Sequence, residues 1–210
     1  MIWQSIHAEN GPVARSYQQM TATPGKLHVF GGCAGTERLA DLHTFDLSSG
    51  IWTRQPDNAA IRGRGGAGFE ADGSGGSLFV IGGFAGEETN DVYKFDLNSS
   101  EWSTVPSANL RPRSVFPLCT LGDKIVLFGG EVDPSAAGHS GAGGFTNDLI
   151  ALDTKTLAWS AVQTQVAPLE RGWTRMAATS HKTCVMFGGL AGDDANPIRL
   201  DDTWEVIVEF

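Results

Sequence analysis

Four glycine pairs, Gly31-Gly32, Gly82-Gly83, Gly129-Gly130 and Gly188-Gly189, stand 51, 47 and 59 residues apart in a chain of 210. A period of that length marks a propeller or a solenoid, because a single repeat cannot bury its own apolar face and must stack on its neighbours. Each pair closes a short apolar run: Leu27-His28-Val29-Phe30, Leu78-Phe79-Val80-Ile81, Ile125-Val126-Leu127-Phe128 and Cys184-Val185-Met186-Phe187. Runs of this kind, bounded by glycine, read as strands covered on both faces.

Beyond each pair lies a second run flanked by aspartate, beginning at Asp41, Asp91, Asp148 and Asp202 and closing in the first three repeats at Asp46, Asp96 and Asp153. Six residues further on stand Trp52, Trp102 and Trp159. Upstream of each pair by 16 to 18 residues is an arginine followed by a small residue: Arg15-Ser16, Arg64-Gly65, Arg113-Ser114 and Arg171-Gly172. One period thus holds four short strands, a to d. Strand a follows the arginine, b ends at the glycines, c carries the aspartates and d the tryptophan.

Glycine pair, spaced aromatics and tryptophan at a period near fifty residues resemble the kelch repeat, over the whole chain. The resemblance implies an all-β propeller of four antiparallel four-stranded blades. The repeats run over about 15–56, 64–106, 113–163 and 171–210, with 2–6 added to the last. That last repeat has a, b and c but no d before Phe210, whereas Ile2-Trp3-Gln4-Ser5-Ile6 looks like a d strand with no blade. The expectation is a monomer, one domain over 1–210, in which the Trp3 segment completes the fourth blade and removes an exposed edge. The glycines and Trp3, Trp52, Trp102 and Trp159 are read as scaffold, the tryptophans packing between blades and the aspartates around strand c forming turns.

Composition narrows the partners. The net charge of −9 disfavours phosphate backbones and anionic lipid surfaces. Cys33, Cys119 and Cys184 are odd in number and far apart, which suits free thiols in the cytoplasm rather than a disulfide framework. No apolar stretch is long enough to span a bilayer as a helix, and the first residues have no signal-peptide pattern. Gly73-Ser74-Gly75-Gly76 has no following Lys or helix, so it is a turn rather than a phosphate loop.

If strands alternate in direction, the d–a and b–c loops share one face of the disc. Arg15, Arg64, Arg113 and Arg171 are then expected around one mouth of the channel, suited to a small anion such as a carboxylate or sulfate, or else bonded to carbonyls and acids of the blades. Arg175 is an alternative to Arg171. The b–c loop of the third repeat, 131–146, is about ten residues longer than the others and opens on the same mouth. It carries Glu131, Asp133 and His139, which suit a metal or proton transfer; as a surface, the same loop suits a protein partner.

The run from Gly129 to Gly143, followed by Asn147-Asp148 and Leu152–Leu157, looks like the corresponding blade of nitrile-specifier and epithiospecifier proteins. That resemblance implies Fe(II)-assisted lyase chemistry on an anionic sulfur- and nitrogen-containing aglycone. Glu131 and His139 correspond to the first and third iron ligands, and Arg64 or Arg113 to the sulfate clamp. The middle carboxylate has no counterpart: Ser135 stands four residues after Glu131, leaving Asp133 as the other oxygen donor nearby.

Overall fold

The computed structural model describes residues 1–6, 8–107, 110–133 and 143–208. Its four small antiparallel sheets are the four blades of a β-propeller. Blade 1 is β1 (Gln19–Thr23), β2 (Lys26–Ala34), β3 (Glu37–Asp46) and β4 (Ile51–Arg54). Blade 2 is β5 (Gly68–Ala71), β6 (Ser77–Phe84), β7 (Glu88–Asp96) and β8 (Glu101–Val105). Blade 3 is β9 (Leu118–Leu121), β10 (Lys124–Phe128), β13 (Leu149–Asp153) and β14 (Trp159–Ala161). Between β10 and β13, β11 (Glu131–Asp133) and β12 (Gly144–Phe145) pair as a separate two-stranded sheet. Blade 4 is β15 (Arg175–Ala178), β16 (Thr183–Gly192) and β17 (Pro197–Ile207).

Three apolar cores lie at the three junctions between successive blades. Phe30 and Leu42 of blade 1 meet Phe69, Val80 and Phe95 of blade 2; Phe79 and Ile81 meet Ile125 and Leu127; Val126 and Phe128 meet Met176 and Met186. Trp102 and Trp159 straddle these junctions as expected. The indole Nε1–H of each donates to a carbonyl of the preceding blade, Pro56 O and Pro106 O respectively, both at 2.8 Å. Large rings placed so cover much apolar area while the one polar edge stays satisfied.

The expected closure through residues 2–6 is corrected by the structure. Ile2–Ile6 forms no strand, Trp3 is 101% exposed, and the fourth sheet has three strands with β17 at its edge. The pattern of Trp3 fits a d strand, but a d strand needs the fourth sheet beside it. The innermost strands β1, β5, β9 and β15 stack in succession, while β15 and β1 make no comparable contact.

The glycine pairs do what a missing Cβ permits. Both members have positive φ in every repeat. The N–H of the second glycine reaches across the junction to the carbonyl of the next repeat's arginine: Gly32 to Arg64, Gly83 to Arg113 and Gly130 to Arg171, all at 2.8 Å. A Cβ on Gly129 would come within 2.5 Å of Arg171 O, so no other residue fits that approach.

The four arginines are also corrected. Arg64, Arg113 and Arg171 are 0% exposed. Arg15, Arg64, Arg113 and Arg171 each hold a carboxylate of their own blade in a two-pronged pair, with Asp41, Asp91, Asp148 and Asp202, at 2.5–2.9 Å. Each also donates to the carbonyl of the first glycine, Gly31, Gly82, Gly129 or Gly188. Nε donates to the carbonyl two residues back, at Val13, Arg62, Arg111 or Leu169. Four of five N–H groups are occupied inside the blade, which makes each arginine a clamp rather than part of an anion-binding ring. The first aspartate of each strand c is therefore the clamp's other half. The second, as expected, forms the turn: Asp46 accepts from the backbone N–H groups of Ser48 and Ser49.

Removing one partner of a buried ion pair leaves the other charge unpaired, which costs about 3–5 kcal/mol. The Asp148 side chain is 40% exposed, so urea unfolding of Arg113→Ala is expected to show a loss at the lower end of that range. Arg113→Lys should also destabilise, because an ammonium cannot form the two-pronged pair. The clamps also set an acid limit. Arg15 bonding holds Asp41 at about 2 against the opposing effect of burial, the largest single influence, and Arg171 holds Asp202 at about 2. Carboxylates depressed on folding stabilise above their ordinary range near 4 and lose that contribution as pH falls toward 2. Unfolding free energy measured from pH 5 to pH 2 should fall, and an Asp202→Asn variant should flatten part of the slope.

Candidate functional site at the channel mouth

The d–a and b–c loops do emerge on one face, and the side chains gathered there come from every blade. Two residues after each clamp arginine the chain turns at the axis with positive φ, at Tyr17, Gly66, Val115 and Trp173. These turns are stitched in series: Gly66 N–H donates to Tyr17 O at 3.1 Å, Val115 N–H to Gly66 O at 2.8 Å and Trp173 N–H to Val115 O at 2.8 Å. The rings of Tyr17 and Trp173 meet edge to face with centroids 6.2 Å apart. Beside them Tyr17, Cys33, Arg38, Phe84, Ser114 and Val115 line a cleft of about 10 Å³, too small for a ligand.

One wall is cationic. Arg38, the second residue of β3, lies exposed with its guanidinium 4.9 Å over the ring of Phe84 in the next blade. Arg62 rises beside it, paired with Glu87 at 3.0 Å. Arg38 is a position the sequence reading missed. Two acidic groups, Glu88 and Glu131, lie at Ser114. Ser114 is bonded through its backbone to Glu131 in both directions at 2.9 Å, and through its Oγ to Glu88 Oε1 at 3.2 Å. Glu131 is only 6% exposed. Burial first, then the charges of Glu88 and Asp194, push its carboxyl up to about 7. A carboxyl poised there exchanges a proton at neutral pH.

Of the three expected metal ligands, Glu131 is at the mouth. His139 and the side chain of Asp133 lie outside the described residues. Among the described residues no group of three His, Cys, Asp or Glu side chains is arranged to hold a metal ion, and no helix is long and apolar enough to cross a membrane. The described donors therefore do not by themselves fit an iron centre.

A family model described as the KLHDC2/KLHL20/DRC7 Kelch-repeats domain matches residues 1–130 and 58–209. The chain belongs to the kelch family. It is 29% identical over 212 residues to the N-(sulfonatooxy)prop-2-enimidothioate sulfolyase of Thlaspi arvense, covering 88% of this chain and 60% of that protein. It is 30% identical over 207 residues to Kelch domain-containing protein 3 of Rattus norvegicus, covering 91% and 52%. Host cell factor 1 of Rattus norvegicus is 27% identical over 229 residues, covering 99% of this chain and 11% of that protein. The chain thus spans between half and three-fifths of the first two relatives.

The elevated Glu131 carboxyl has a measurable cost. A group that binds its proton more tightly when folded stabilises fully below its ordinary value of 4.5, and that contribution is lost as pH rises through about 7. Glu131→Gln is expected to be more stable than the parent at pH 8 and to lose that advantage at pH 4. Urea titrations at the two pH values measure the difference.

Proposed function

We propose that the mouth of this kelch propeller is a small-molecule site for an anionic sulfur- or nitrogen-containing compound, with lyase-type chemistry assisted by Glu131. What supports the reading is that Arg38, Tyr17 and Ser114 line one cleft, that Trp173 packs on Tyr17, and that Glu131, with its carboxyl pushed up to about 7 by burial, is bonded to Ser114. Arg38 takes the anionic group. Tyr17 and Trp173 pack against the apolar part, and Glu131 gives or takes a proton as the leaving group departs. The similarity to a protein named as a sulfolyase supports the substrate class. Ferrous iron, which the resembled family implies, would be held by Glu131, His139 and Asp133 together and would supply Lewis-acid chemistry there. Free thiols at Cys33, Cys119 and Cys184 support placing the chain in the cytoplasm.

A second reading, a module for a protein partner, is favoured by one feature. Val13 and Leu169, two residues before their clamp arginines, expose apolar side chains on the same rim as Arg62 and Arg111. The similarity to Kelch domain-containing protein 3 and host cell factor 1 supports it as well.

Thermal melting with sodium sulfate, and separately with ferrous iron without oxygen, separates the two. A ligand at ten times its dissociation constant stabilises by about 1.4 kcal/mol, a rise of about 3–6 °C for a domain of this size. The small-molecule reading expects a sulfate shift that Arg38→Ala abolishes and Glu131→Gln keeps, and an iron shift that Glu131→Gln abolishes. An unchanged melt with both probes leaves the protein-partner reading.

A further inference from the structure

The fourth blade carries a groove of about 660 Å³ beside β17. Its walls are the counterparts, position for position, of the core between blades 1 and 2. Phe128, Met176, Met186 and Val206 stand where Phe30, Phe69, Val80 and Phe95 stand in that core. There the space is filled by Trp102, its ring 4.9 Å from Phe95 and 6.3 Å from Phe30. The acceptor of its indole N–H is Pro56, four residues after Trp52, and Trp159 uses Pro106, four residues after Trp102. The same count from Trp159 reaches Gln163, which lines the groove. The groove is thus an indole slot along the bare edge of a sheet.

A matching strand exists in the sequence. Ile2-Trp3 repeats Ile51-Trp52, and Trp3 precedes Arg15 by twelve residues, as Trp52 precedes Arg64 and Trp159 precedes Arg171. The residues that follow it are already seated as a junction: a Cβ on Gly11 would lie 3.2 Å from the Trp52 ring. Trp3 itself is fully exposed. Within one chain the two ends do not meet. The series of bonds from Gly32, Gly83 and Gly130 to the next arginine carbonyl has Gly189 N–H and Arg15 C=O as its open ends, and no bond joins them. A Cβ on Gly188 would meet only Leu200 of its own blade, where Gly31, Gly82 and Gly129 each face the next arginine.

We propose that two copies of this chain exchange their N-terminal segments, Ile2–Ile6 of each adding to the β17 edge of the other and seating Trp3 in the groove. Gly189 N–H of each copy then meets Arg15 C=O of the second, and each blade 4 is followed by the other copy's blade 1. The exchange is reciprocal, so it closes as a two-fold dimer and does not extend as a fibre. The resulting eight blades lie within the propeller range, with less curvature per blade, and the Tyr17–Trp173 contact across the axis opens. This replaces the monomer expected from closure within one chain; it is argued from the β17 groove rather than from the chemistry proposed at the mouth, whose Tyr17–Trp173 pair it parts.

Size-exclusion chromatography with light scattering tests it on the full chain. The expected mass is that of two 22.3 kDa chains. Trp3→Ala, at an exposed position where folding is not at stake, should weaken the dimer about 100-fold, the effect of truncating a central interface tryptophan. A synthetic peptide of residues 1–10 should convert dimer to monomer, and its Trp3→Ala version should not. A monomer at all concentrations, an assembly other than a dimer, or a dimer unmoved by both the substitution and the peptide overturns the proposal.

Discussion

The fold rests on the arginine at the start of each strand a. Its guanidinium joins three places that would otherwise be independent: the entry to strand a, the carbonyl of the first glycine at the end of strand b, and the aspartate that opens strand c. In Arg64, Arg113 and Arg171 the backbone carbonyl also accepts from the glycine pair of the preceding blade. One residue therefore closes its own blade through the side chain and ties on the previous blade through the main chain. A buried guanidinium is tolerable only because four of its N–H groups are satisfied and its charge is matched at contact distance. The glycines are the complement of that clamp. They bring the next repeat's carbonyl to where any side chain would have to be.

Periodicity made the blades legible in the sequence. Four apolar runs ending at glycine, four aspartates and three tryptophans at constant offsets specify strands and their order, because each pattern is local. The junction between residues 2–6 and the fourth sheet was not legible in the same way. A sequence shows that Ile2-Trp3 can make a d strand, but not which sheet edge it meets, since every edge offers the same hydrogen-bonding groups. The clamp arginines were open to two roles for a related reason. Their spacing placed them near the axis, yet only the aspartate partner 26 to 35 residues away decides whether the charge faces inward or outward.

At the mouth, signals shared among repeats fade. Arg38 and Glu88 sit in or beside b–c hairpins of dissimilar sequence, so nothing in the repeat singles them out. Tyr17, Gly66, Val115 and Trp173 occupy one structural position with four unrelated side chains. The backbone geometry there is constant, with positive φ throughout, while chemistry varies from blade to blade. That division is what allows a repeat scaffold to carry a site: the frame tolerates any residue that the turn accepts, and binding character collects where the frame makes no demand.

The pair of main-chain bonds at every blade junction, one at the glycines and one at the axial turn, involves only adjacent repeats. Cohesion in such an array is a sum over neighbours, with no term that counts the repeats. A gene that gained or lost a segment of some fifty codons at a d–a connection would alter the circumference while leaving each local contact intact. Ring size is thus a loosely held trait in this architecture, and duplication offers it a smooth path between proteins of different girth.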